Sequence, residues 1–151
     1  MTYDELICSA ASDGLAVREK PLIGNDGRIF GRRIAIRQSI DTTVEKSCVL
    51  AEELGHYYTS AGNITDQADV MNRKQEYRAR LYGYNLKIGL KGLVDSYEAG
   101  CRNISEICDY LDVTEEYLKD ALECYHSKYG RCATLDNYVI CFEPCLTVGK
   151  M

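Results

Sequence analysis

The chain has no tryptophan and only two phenylalanines in 151 residues. A chain of this length is one domain, or one domain with a small appendage, and it buries a real core. Its twelve tyrosines must therefore supply most of the aromatic bulk. No apolar run approaches the roughly 18 residues that mark a transmembrane helix, so no membrane span is expected. The opening Met1-Thr2-Tyr3-Asp4-Glu5-Leu6 lacks the basic segment that begins a signal peptide, and a cytoplasmic protein is expected. Positive charge is also short. A net charge of −5 and a pI near 5.1 argue against a general nucleic-acid binder, which needs a basic surface. Eight cysteines, at 8, 48, 101, 108, 124, 132, 141 and 145, form no C-x-x-C pair. That excludes a zinc ribbon or a thioredoxin-like motif. In a reducing cytosol most of them are expected to be buried thiols acting as small hydrophobes. Cys132, Cys141 and Cys145 with His126 lack the spacings of the familiar metal sites. There is no internal repeat, low-complexity segment or flexible linker.

What is present reads as a mixed fold. Leu6, Ile7 and Ala10 fall near helical spacing, so a first helix is expected over 3–12. Residues 15–20 alternate as a strand, and Pro21 with Gly24-Asn25-Asp26-Gly27 marks a turn. Ile29-Phe30 and 33–37 add two strands, giving a small antiparallel sheet. Thr42-x-x-Glu45 is a capping box that opens a helix from about 43 to 60, stopped at Gly62-Asn63. Val44, Cys48, Ala51, Leu54 or Gly55, and Tyr58 are its expected core face. A polar connection at 64–69 leads to a helix over about 70–88 with an apolar stripe at Tyr77, Leu81, Tyr84 and Ile88. Gly89 and Gly92 break the chain. Short helices are expected over 92–99 and 103–111, a longer one from Thr114 to about Tyr129, and a single terminal strand over 134–143.

Chemistry concentrates at Ala51-Glu52-Glu53-Leu54-Gly55-His56. In H-E-x-x-H, two histidines at i and i+4 hold zinc from one helix face, and the glutamate beside the first is the general base. Here Glu53 and His56 hold the last two roles, and Glu52 stands where the first histidine would be. A carboxylate is a legitimate zinc ligand, and positions i and i+4 share a face. A hydrolytic site needs a third ligand from elsewhere. Glu76, on the following helix and beside its apolar stripe, is the candidate. Standing alone, Glu52 reads as a solvated helix charge and His56 as a helix-end residue without a ligand. The combination favours the site.

The segment Val49-Leu50-Ala51-Glu52-Glu53-Leu54-Gly55-His56-Tyr57-Tyr58, with Glu76-Tyr77-Arg78-Ala79 as the later E-x-x-A, resembles the ImmA/IrrE metallopeptidases. These are small zincin-like proteins of phages and other mobile elements. The resemblance is clearest over residues 14–90, and the phage-type branch is suggested by the segment from Asn103 to Glu116. It implies an α+β fold with a zincin-like metallopeptidase core over 1–90. A C-terminal helical portion over 91–151, with a terminal strand, would pack on that core. It also implies a metal-dependent endopeptidase that cleaves a helix-turn-helix transcriptional repressor and so derepresses the element. Glu53 would be the general base, with His56, Glu76 and Glu52 as metal ligands. Zinc is the implied cofactor, and the extra carboxylate shifts the preference toward manganese or iron. The alternative is a degenerate metallopeptidase fold that binds the repressor without cleaving it.

Residues 92–126 have the rhythm of a helix-turn-helix. However, Glu106, Asp109, Asp112, Glu115, Glu116, Asp120 and Glu123 face only Arg102 and Lys119. Phosphate would repel so acidic a recognition helix, so no direct nucleic-acid partner is expected for the protein. An acidic docking surface for a basic repressor is the sharper reading.

Overall fold

Thr2 and Thr42 begin two of the expected helices. The Thr2 hydroxyl accepts from the Glu5 amide ahead of α1 (Tyr3–Ser12), and the Thr42 hydroxyl accepts from the Glu45 amide ahead of α2 (Thr43–Thr59). Each cap satisfies an amide that has no partner inside the helix. The computed structural model describes the backbone of residues 1–60 and 69–151, and the side chains of 1–60 and 73–151. The expected helix stop at Gly62-Asn63 and the connection over 64–68 lie outside the described residues. The protein is α+β and divides into two compact units, Met1–Leu86 and Lys87–Met151. Among the described residues no helix is long and apolar enough to cross a membrane.

In the first unit, β1 (Ala16–Lys20), β2 (Gly27–Phe30) and β3 (Arg33–Arg37) form one sheet in the order β1-β3-β2. The sheet is mixed, not antiparallel as expected: β1 runs parallel to β3, and β2 antiparallel to it. Burial explains the order. Ile34 and Ile36 are both fully buried, whereas β1 offers one buried residue, Val17, and β2 only the half-buried Ile29. The strand with two inward isoleucines takes the centre, where neighbours shield both its edges. The inner face packs on Tyr3, Leu6 and Ala10 of α1 and on Leu50, Ala51 and Leu54 of α2. Each fully buried leucine or isoleucine here contributes about 1.5–3 kcal/mol. The next helix, α3, runs Asp69–Lys87.

The second unit holds α4 (Gly89–Glu98), α5 (Ile104–Leu111) and α6 (Glu115–Tyr129). Gly89, at φ 65°, does mark the chain break, and its amide donates to the Tyr125 hydroxyl. Gly92 does not break the chain; α4 continues through it. The Asp112-Val113-Thr114 link ends α5 with Asp112 in the left-handed region (φ 58°) and starts α6 with the Thr114 hydroxyl on the Tyr117 amide. The expected single terminal strand is instead a three-stranded antiparallel sheet of β4 (Cys132–Leu135), β5 (Tyr138–Cys141) and β6 (Thr147–Lys150). The two strands β4 and β5 are joined by a two-residue turn, Asp136-Asn137, with Asp136 at φ 53°, and the positions that share a face change parity across it, from Leu135 to Tyr138. Such residues suit a tight hairpin loop, which is the signal the single-strand reading overlooked.

The cysteines also depart from expectation. Only Cys48 and Cys108 are buried, Cys8 and Cys145 are exposed, and Cys132 is disulfide-bonded to Cys141. Those two are register partners across β4 and β5, so the hairpin brings them together.

Candidate metal centre

Four small residues decide how the site is built. On α2, Ala51 and Gly55 lie one turn apart and are buried; on α3, Ala79 and Gly83 do the same. A Cβ placed on Gly55 would lie 2.1 Å from the Ala79 carbonyl oxygen, and one on Gly83 would lie 2.9 Å from the Ala51 carbonyl oxygen. The two helices therefore cross antiparallel, backbone against backbone. This corrects the expected faces. The buried line of α3 is Ala79, Gly83 and Lys87; of the expected apolar stripe Ile88 is buried, Leu81 and Tyr84 are half-buried, and Tyr77 is exposed. Tyr58 is exposed too: it stacks on Tyr82 and donates a hydrogen bond to the Asp13 carboxylate.

The close crossing brings Glu76 of α3 to Glu52 and His56 of α2. One ligand atom from each of the three lies within 4.8 Å of the others. His56 and Glu76 are half-buried, and Glu52 is exposed. His56 Nε2 is 3.7 Å from Glu76 Oε2, and Arg80, one turn on, places its Nε 3.2 Å from Glu76 Oε1. The structure thus gathers all three candidate ligands named from the sequence.

Glu53 sits next to this cluster, half-buried. Burial pushes its carboxyl above the ordinary glutamate range, the His56 charge works against that, and the Glu52 and Glu76 carboxylates add to it. Its side chain lies under the first residue of β2. A Cβ on Gly27 would come within 2.7 Å of Glu53 Cγ, so the missing side chain there makes room for the glutamate. Gly27 and Gly83 were not singled out from the sequence as parts of the site. The Ala-x-x-x-Gly spacing at 51–55, repeated at 79–83, was the readable signal for the crossing.

Two carboxylates and an imidazole suit a divalent first-row cation, with zinc favoured by the imidazole and manganese or iron by the oxygens. Bonds of about 2.0–2.2 Å need ligand atoms closer together than the present outer limit of 4.8 Å. The exposed Glu52 side chain has the rotamer freedom to close that gap. The donor set fits such an ion.

In comparisons with known proteins no family model matches the chain, and neither a curated protein nor a solved structure matches it.

Proposed function

We propose that this chain is a zincin-like, metal-dependent endopeptidase whose substrate is a basic helix-turn-helix repressor of a phage or other mobile element. The observation that carries the reading is the convergence of Glu52, His56 and Glu76 beside a half-buried Glu53. Glu52, His56 and Glu76 hold the cation, zinc first, with manganese or iron as alternatives. When bound, such an ion supplies Lewis acidity to the scissile carbonyl. Glu53 takes the proton of the attacking water and passes it to the leaving amine. Its raised pKa brings it nearer the working range of a general base. Arg80 orients Glu76 through the 3.2 Å contact. The repressor as substrate rests on the resemblance of the helix and the E-x-x-A segment. It is supported by the exposed acidic residues of α5 and α6, among them Glu106, Asp109, Glu115, Glu116 and Asp120, which complement a basic partner.

A second reading has its own observation. Both oxygens of Glu76 have side-chain neighbours, Oε2 at 3.7 Å from His56 Nε2 and Oε1 at 3.2 Å from Arg80 Nε. That arrangement suits a fold that binds the repressor and does not cut it. Elemental analysis of purified protein beside His56→Ala separates the two. Near-stoichiometric zinc, manganese or iron that the variant loses supports the peptidase, and repressor cleavage is then assayed directly. No metal in either protein, even after zinc is added, leaves the binding module.

A further inference from the structure

The outer face of the N-terminal sheet gathers charge that the whole-chain average hides. Val17, Ile34 and Ile36 point to the core, so the alternate residues of each strand point away from α1 and α2. In register, Arg18 of β1 and Arg28 of β2 flank Ala35 of β3, and Arg33 stands beside Phe30. The small Ala35 leaves a concavity of about 440 Å³, lined by Arg18, Lys20, Arg28, Arg33 and Phe30 among others, with no carboxylate in its lining. The acids of this segment are engaged elsewhere. Glu19 pairs with Lys46 at 2.7 Å, and Asp26 with Arg37 at 2.9 Å. Among the described residues, none of the four lining cations has a carboxylate partner. Phe30 is 82 % exposed, an unusual position for one of only two phenylalanines in the chain.

We propose that this face binds single-stranded nucleic acid, DNA or RNA. Four cations on one sheet face supply the contacts to phosphate, and the exposed Phe30 ring supplies a platform for a base. With strands about 4.8 Å apart and long cationic side chains reaching out from both outer strands, the face spans roughly three to four nucleotides. An acidic peptide would satisfy the cations and leave Phe30 without a role. A membrane surface calls for several exposed apolar side chains, and Phe30 is the one large exposed apolar residue of this lining. The net charge of −5 does not oppose the proposal, because it is a whole-chain sum and the lining of this face holds four cations and no carboxylate. The surface is on the opposite side of the sheet from α2, so the proposal stands apart from the peptidase reading.

The test is fluorescence anisotropy of the full chain with labelled dT12 and U12 oligonucleotides across a salt series. Binding to at least one of them is expected, with a slope of log affinity against log salt of about −3, as four single-strand phosphate contacts require. The double variant Arg18→Gln/Arg28→Gln is expected to bring that slope to about −1.5. Phe30→Ala is expected to weaken binding roughly five- to a hundredfold and leave the slope unchanged. All three side chains are exposed, and Lys20→Gln/Arg33→Gln is a second charge pair should the first fold poorly. The dT12 and U12 arms distinguish DNA from RNA. Absence of binding to both oligonucleotides at the lowest salt overturns the proposal, as does binding that every variant leaves intact. Tighter binding of polyglutamate or of phosphatidylserine vesicles than of either oligonucleotide also overturns it.

Discussion

A methyl group added at Gly55 tests how the candidate site is assembled. In a helix interior, alanine is favoured over glycine by about 0.8–1.0 kcal/mol. At Gly55 that gain meets a collision. The new Cβ would lie 2.1 Å from the Ala79 carbonyl oxygen and 3.0 Å from its carbon. Ordinary contact begins at 3.4 Å, so α2 and α3 must part by about 1.3 Å in a close-packed interior. The obstacle is backbone, which cannot rotate aside, so the cost falls at or above the top of the usual overpacking range of about 1–3 kcal/mol. The net expectation for Gly55→Ala is a loss of about 2 kcal/mol or more. Gly83→Ala faces a milder collision, 2.9 Å to the Ala51 carbonyl oxygen, and its two effects nearly cancel. Gly92→Ala, in α4, meets only the Leu111 Cδ2 methyl at 3.2 Å, which can turn away. It is expected to stabilise by up to about 1 kcal/mol. Urea unfolding read by amide hydrogen exchange, separately over the two units, gives the order. Because parting the helices also draws Glu76 from His56, Gly55→Ala is expected to lower metal uptake. A Gly55→Ala protein as stable as wild type would refute backbone contact between α2 and α3, and with it this account of how Glu76 reaches the site.

Glu53→Gln is expected to leave metal stoichiometry unchanged and to lower peptidase turnover at least about a hundredfold, as loss of a general base does; a fall of less than about tenfold assigns the proton to another group. Tyr3 carries the clearest dependence on pH. Burial, then the nearby Glu19 carboxylate, pushes its hydroxyl up to about 12 from an ordinary 10.0. The folded state holds that proton more tightly than the unfolded state, so the contribution is complete below pH 10 and is lost as pH rises toward 12. Thermal melts should therefore decline less steeply for Tyr3→Phe than for wild type over that window, and parallel declines would discard the assignment.

Local chemistry was the legible part of this sequence. Thr42 and Thr114 cap helices where their spacing places them, and Asp13-Gly14 follows α1. What was not legible depends on partners far along the chain. Nothing within β3 announces that it will sit between β1 and β2; that follows from comparing how much apolar surface each strand must hide. The hairpin at Asp136-Asn137 was legible in part. The step from Leu135 to Tyr138 breaks the alternation at two turn-forming residues, but the pairing across it is set by strand register. The Cys132–Cys141 pair then depends on that hairpin's register and was unreadable without it.

The candidate site mixes both kinds of information. Glu52 and His56 share a helix face by their spacing alone, so the sequence sufficed for that pair. Glu76 is different, because several charged residues on α3 were available in principle. The selection is made by Ala79. Its carbonyl lies against Gly55, and α3 runs antiparallel to α2. Glu76, one turn back along α3 from Ala79, therefore lies beside the part of α2 that follows Gly55, where His56 stands. The E-x-x-A spacing reads physically as a carboxylate placed one turn from the close approach of the two helices. Arg80, one residue beyond Ala79, turns back to Glu76, and its permanently protonated guanidinium has no lone pair to offer a cation. Packing at the small-residue seam, and not the acidity of any one residue, determines which carboxylate joins the histidine.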